Sequence, residues 1–138
     1  MDFSNINFLA VAVAAVASFA FGAIWYSQGL FGKTWQNELG FTDEDLKGAN
    51  MGKIFGTTFV LTFVMALGMG ILLRGHGENQ IDWLSGLYHG LSVGLAFVGM
   101  SMGINYLYQR KSFKLWAIDA FYQIIILGIM GVIIGAWR

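Results

Sequence analysis

Charged residues fall in clusters and leave long apolar runs between them. No Asp, Glu, Lys or Arg occurs between Asp2 and Lys33, from Ile54 to Leu73, or from Trp83 to Gln109. A fourth run, Leu115 to Trp137, contains one acid, Asp119. A helix needs about 20 mostly apolar residues to cross a hydrocarbon core of about 30 Å. The pattern therefore predicts an all-α membrane protein, a single integral domain over 1–138 with spans near 6–26, 51–73, 83–108 and 114–137. Four spans with short returns form an antiparallel bundle.

The polar segments supply the start signals. Ser4, Asp82 and Ser112 stand where they would cap spans one, three and four. The connection between spans one and two contains Thr42-Asp43-Glu44-Asp45 ahead of Leu46, a capping box with Asp45 in the usual Glu position. It predicts a short amphipathic cytoplasmic helix leading into span two. His76, between Gly75 and Gly77, reads as part of a flexible turn.

Composition sharpens the class: hydrophobic residues make up 57% and charged residues 12%, about half the charged fraction of a soluble domain. The first run lacks the basic leader of a cleaved signal peptide, carrying Asp2 instead, so it is expected to remain as a span. With no Cys there is no thiolate chemistry, and a net charge of zero gives no pull toward nucleic acid. Lys33, Lys47, Lys53, Arg110, Lys111 and Lys114 share one face of a four-span topology, against Arg74 and Arg138 on the other. That bias predicts both termini on the non-cytoplasmic side of the inner membrane. Trp25, Tyr26, Phe31, Trp35 and Trp116 lie at the basic border, with Trp83 and Trp137 at the opposite one, where amphipathic rings prefer to sit.

Apolar burial cannot drive helices together in lipid, so small residues mark the expected contacts. Span one offers Ala10, Ala14, Ser18 and Gly22, span two Thr58, Thr62, Ala66 and Gly70, and span three Gly86, Gly90 and Gly94. At 100° per residue Ser101 and Asn105 continue the Gly86 side of span three, whereas Ser85, His89, Ser92, Ala96, Gly99 and Gly103 fall nearly opposite. The glycine seam serves either packing within the bundle or an interface with a second copy.

Ionisable residues inside a span are functional candidates because burying charge in lipid is costly. Asp119 in span four has Gln123 one turn on, and Asn105 of span three is expected at similar depth, making a polar cluster. Lys111, Lys114 and the hydroxyls of Tyr26 and Tyr106 are within reach of Asp119. The cluster is either a lock between helices or a proton- or ion-handling site. His89 lies roughly 20 Å away in depth at about 1.5 Å per residue, so the two are not direct partners. One histidine in a span gives haem little support, and no cofactor, metal site or catalytic set is expected.

WYSQGLFGKTWQNELGFTDEDL and YQRKSFKLWAIDAFYQIIILGIMGVIIGAW together resemble a family of small membrane proteins, domain-of-unknown-function family 1761. The resemblance picks out Trp25, Tyr26 and Ser27, then Leu30, Phe31, Gly32, Lys33 and Trp35, and finally Ile118, Asp119, Tyr122 and Trp137. Gln28-Gly29 departs from the family's Pro followed by an apolar residue. The resemblance implies four spans and no defined activity. Because both motifs fall at the cytoplasmic end, Ser27, Lys33 or Tyr26 is expected to contact Asp119. The resulting expectation is a structural or accessory membrane component, not an enzyme, that self-associates or binds a membrane-protein partner. The alternative is a small proton- or ion-coupled channel or transporter subunit using Asp119.

Overall fold

A computed structural model describes residues 3–77 and 80–137, all helical with no strand among them. The elements are α1 (Phe8–Trp25), α2 (Gly32–Leu39), α3 (Asp43–Lys47), α4 (Met51–Arg74), α5 (Trp83–Val93), a π-helical turn (Gly94–Gly99), α6 (Met100–Tyr108) and α7 (Phe113–Ala136). Four continuous helices, 8–25, 51–74, 83–108 and 113–136, are long and apolar enough to cross a membrane. Asp2 and Arg138, which entered the reading of the first run and the charge count, lie outside the described residues.

Side-chain caps fix most helix starts. Asp82, Ser112 and Asn50 accept from the backbone N–H groups of Ser85, Leu115 and Lys53, satisfying donors that a helix start leaves free. Span one differs from expectation: Asn7, not Ser4, caps it through the Ala10 N–H. The Thr42–Asp45 capping box is complete and opens α3. The first connection also contains α2, so two short helices stand where the sequence predicts one. Gly40 and Arg110 close α2 and α6 with the same backbone turn, at φ 72° and 56°. In each, the next residue's N–H reaches back five residues, Phe41 to Gln36 and Lys111 to Tyr106.

Helix α7 is the centre. Half of its apolar stretch is buried, against 28% for α1, 28% for α4 and 17% for the span containing α5 and α6, and each of the other spans packs on it. Val11, Ala14 and Ala15 of α1, Ala66, Met69 and Leu73 of α4, and Ile126 and Met130 of α7 form the core. Outward faces are strongly apolar: Phe97 is 71% exposed, Leu107 78% and Phe113 78%. Such a surface suits lipid and would be an aggregation hazard in water.

Glycine makes the α5–α7 contact possible. A Cβ at Gly86 would stand 2.8 Å from the Gly131 carbonyl carbon, one at Gly90 2.7 Å from that of Leu127, and one at Gly94 2.7 Å from the Ile124 Cα. The seam is thus filled by α7 within the chain. The π-helical turn then shifts its phase. Gly94 is followed on the α7-facing side by Gly99, beside Ala120 and Ile124, and then by Gly103 under the Trp116 ring. A five-residue step replaces the usual three or four, as a π turn requires. The sequence wheel put Gly99 and Gly103 opposite the glycine seam; the π turn brings them onto it.

Candidate functional site

The best-defined polar site lies where α1 ends beside the first turns of α7. The Tyr26 hydroxyl donates to Asp119 Oδ1 and the Tyr106 hydroxyl to Asp119 Oδ2, each at 2.6 Å. That is the length of a hydroxyl on a carboxylate oxygen. Asp119 is 8% exposed, so a burial that would be costly alone has both oxygens satisfied.

Each donor is positioned by its own element. Tyr26 is the C-cap of α1, where the chain turns back and the Gly32 N–H donates to the Ser27 carbonyl. Gly32 is buried in this turn; a Cβ there would stand 2.8 Å from the Ser27 oxygen. The Tyr26 ring meets the edges of Trp35 at 5.8 Å and Tyr122 at 5.1 Å, which fixes its direction. Trp25 donates through Nε1 to the Ile118 carbonyl at 3.1 Å and packs on Phe31 at 4.4 Å. Two successive aromatics at the end of α1 thus grip two successive residues of α7.

Tyr122 lies one turn beyond Asp119, stacked against Phe21 at 6.3 Å. A Cβ at Gly22 would stand 2.8 Å from the Tyr122 hydroxyl, so this small residue admits an aromatic ring. Ala14 and Ser18 are fully buried. The Ser18 hydroxyl has no hydrogen-bond partner among the described residues.

The polar cluster forms from the two tyrosine hydroxyls expected within reach of Asp119, without Asn105 and Gln123. Asn105 is exposed and Gln123 half-buried, and neither bonds to Asp119, whose partners are the two tyrosines. The π turn explains the exchange: the one-residue phase shift places Tyr106 where an uninterrupted α-helix would place Asn105. Of the three groups expected to reach Asp119 from the first motif, Tyr26 does so. Ser27 bonds to the Ile24 carbonyl, and Lys33 is exposed. Lys111 lies 4.8 Å from the centre of the Tyr106 ring instead of pairing with the carboxylate.

His89 is not part of this site. Its Nδ1 lies 2.7 Å from the Ser85 carbonyl and its ring centre 4.5 Å from that of His76. Ser92, expected beside it, makes no bond to it.

Three polar ties had no sequence signal singling them out. Gln36, 8% exposed, donates to the Phe41 carbonyl and to Asp43 Oδ1 at 2.8 Å, joining α2 to α3. Ser112 donates to Glu38 at 2.6 Å, joining the start of α7 to α2. Trp116 donates through Nε1 to the Gly99 carbonyl at 2.9 Å, seating the ring at the π turn. Among the described residues no three His, Cys, Asp or Glu side chains gather into a ligand set.

The family model described as protein of unknown function (DUF1761) matches residues 9–135. The chain belongs to this family. The matched region of this DUF1761 protein takes in all of the four long helices but the first residue of α1 and the last of α7, and includes the tyrosine hold on Asp119. No curated protein and no solved structure matches the chain. The family and the four apolar helices together make it a multi-pass membrane protein.

Proposed function

We propose that this protein is a structural or accessory component of the inner membrane, without covalent chemistry of its own, that associates with itself or with a membrane-protein partner. The observation carrying this reading is the double hold on Asp119. Hydroxyls from α1's cap and from α6 occupy both carboxylate oxygens at 2.6 Å, fastening three helical elements at one end. A fully satisfied buried group of this kind rigidifies and specifies a packing arrangement.

An antiparallel order of the bundle is supported by the α5–α7 neighbours, since Gly86, Gly90 and Gly94 meet Gly131, Leu127 and Ile124 in falling order. The Lys and Arg bias supports both termini on the non-cytoplasmic side, with α2 and α3 as amphipathic helices at the cytoplasmic face. Association with another chain has room on α4, where a Cβ at Gly56 or Gly68 would meet nothing within 4 Å. Lipid covers the remaining apolar faces.

A second reading, a small proton- or ion-coupled channel or transporter subunit, is favoured by the same contacts. A carboxylate flanked by two hydroxyls inside a span is a group able to pass a proton. The two readings separate on Asp119→Asn and the Tyr26→Phe/Tyr106→Phe double variant in lipid vesicles. The structural reading expects a loss of about 1.5–3 kcal/mol of stability for each hydrogen bond to the carboxylate that is removed, with proton and cation flux at the empty-vesicle level throughout. Flux in the wild type that Asp119→Asn abolishes without loss of stability overturns it.

A further inference from the structure

At the end of the bundle away from Asp119, two histidines from different elements meet. His76 follows the end of α4, and His89 lies on α5. Their ring centres are 4.5 Å apart, with the planes at 66°. Each ring is held from behind by a main-chain carbonyl four residues earlier. His76 Nδ1 lies 3.1 Å from the Leu72 oxygen, and His89 Nδ1 2.7 Å from the Ser85 oxygen.

A carbonyl only accepts, so in both neutral rings Nδ1 carries the proton and Nε2 the lone pair. Neither Nε2 has a hydrogen-bond partner among the described residues. His76 is exposed and His89 half-buried, so the protein itself does not enclose the pair. Restraint of one ring nitrogen by a carbonyl, with the other left as a lone pair, is the arrangement that orients metal-binding histidines.

We propose that His76 and His89 bind one borderline divalent transition-metal cation of the Zn2+ and Cu2+ class through their Nε2 atoms. Two imidazoles on one ion, with metal–nitrogen bonds of about 2.0–2.1 Å, bring their ring centres to about 5 Å. The observed pair reaches that spacing by a small opening of the side chains. Imidazole suits Zn2+ and Cu2+ better than Mg2+ or Ca2+, with Cu2+ bound more tightly. Water completes the coordination. The ion ties the end of α4 to α5, two helices that otherwise touch over a short stretch.

The test uses the full chain in lipid nanodiscs, purified without a polyhistidine tag, stripped with chelator and titrated with Zn2+ and then Cu2+. One ion per chain is expected, with each of His76→Ala and His89→Ala weakening binding at least tenfold. Cu2+ electron paramagnetic resonance is expected to show two imidazole nitrogens in the wild type and one in each variant. His76 is exposed, so its variant folds whatever His89→Ala does. Binding no stronger than to empty nanodiscs, binding that survives either substitution, or one ion per two chains would overturn the proposal.

Discussion

The glycine seam makes a quantitative claim about Gly90. A Cβ there would stand 2.7 Å from the Leu127 carbonyl carbon, whereas carbon atoms settle at about 3.5–4.0 Å. Gly90→Ala therefore forces α5 and α7 apart by about 1 Å. The obstructing atoms are backbone, so no rotamer change relieves the clash. Overpacking of this kind costs about 1–3 kcal/mol, and the expected loss lies at the upper end because neighbouring contacts at Gly86 and Gly94 open with it. Gly68 on α4 is the control: the same substitution meets nothing within 4 Å. There, exchange of glycine for alanine in a helix favours folding by up to about 1 kcal/mol. One chemical change should thus have opposite signs at two positions. Equilibrium unfolding by steric trapping in bicelles measures both, and a Gly90→Ala protein as stable as the Gly68→Ala protein would refute backbone contact between α5 and α7.

Two further outcomes follow from local geometry. Arg110 holds a left-handed conformation at φ 56°, which costs a side chain roughly 1 kcal/mol that glycine avoids; Arg110→Gly should raise stability by about 0.5–1 kcal/mol, read in the same unfolding experiment. The Ser85 backbone N–H, helped by the Ser85 side chain, holds the Asp82 carboxyl below its ordinary value. A carboxyl lowered on folding stabilises above its unfolded pKa and loses that contribution as pH falls through the folded value. The stability advantage of wild type over Asp82→Asn, a variant that retains a capping side chain, should therefore be constant above about pH 5 and shrink as pH falls below about 4, as followed by thermal unfolding.

The spans were legible because charged clusters interrupt the apolar runs, and caps such as Asp82 and Ser112 carry their own chemistry. Helix α2 was not: it starts at Phe31 with no side-chain cap, so GKTWQNEL gives no start signal. Asp119 stands out as the only acid in its run, and the two tyrosine hydroxyls that the sequence puts within its reach are its partners; only Asn105, one residue before Tyr106, is misplaced. Nothing in GLAFVG announces a π turn, and every wheel position beyond Gly94 depends on it. The His76–His89 meeting was equally hidden, since it joins a turn to the face of a separate helix.

The centrality of α7 also bears on the order in which the protein is made. Of the four spans, Phe113–Ala136 leaves the ribosome after the other three, although each of them packs on it. While synthesis proceeds, α1 and α4 have each other, but span three enters the membrane with an unfilled glycine groove. A nonsense codon before Phe113 would spare three of four spans and still remove their common partner. Its product would be an incompletely packed intermediate of the aggregation-prone kind, suited to removal by membrane quality control. Loss of this one span is therefore closer in consequence to loss of the whole bundle.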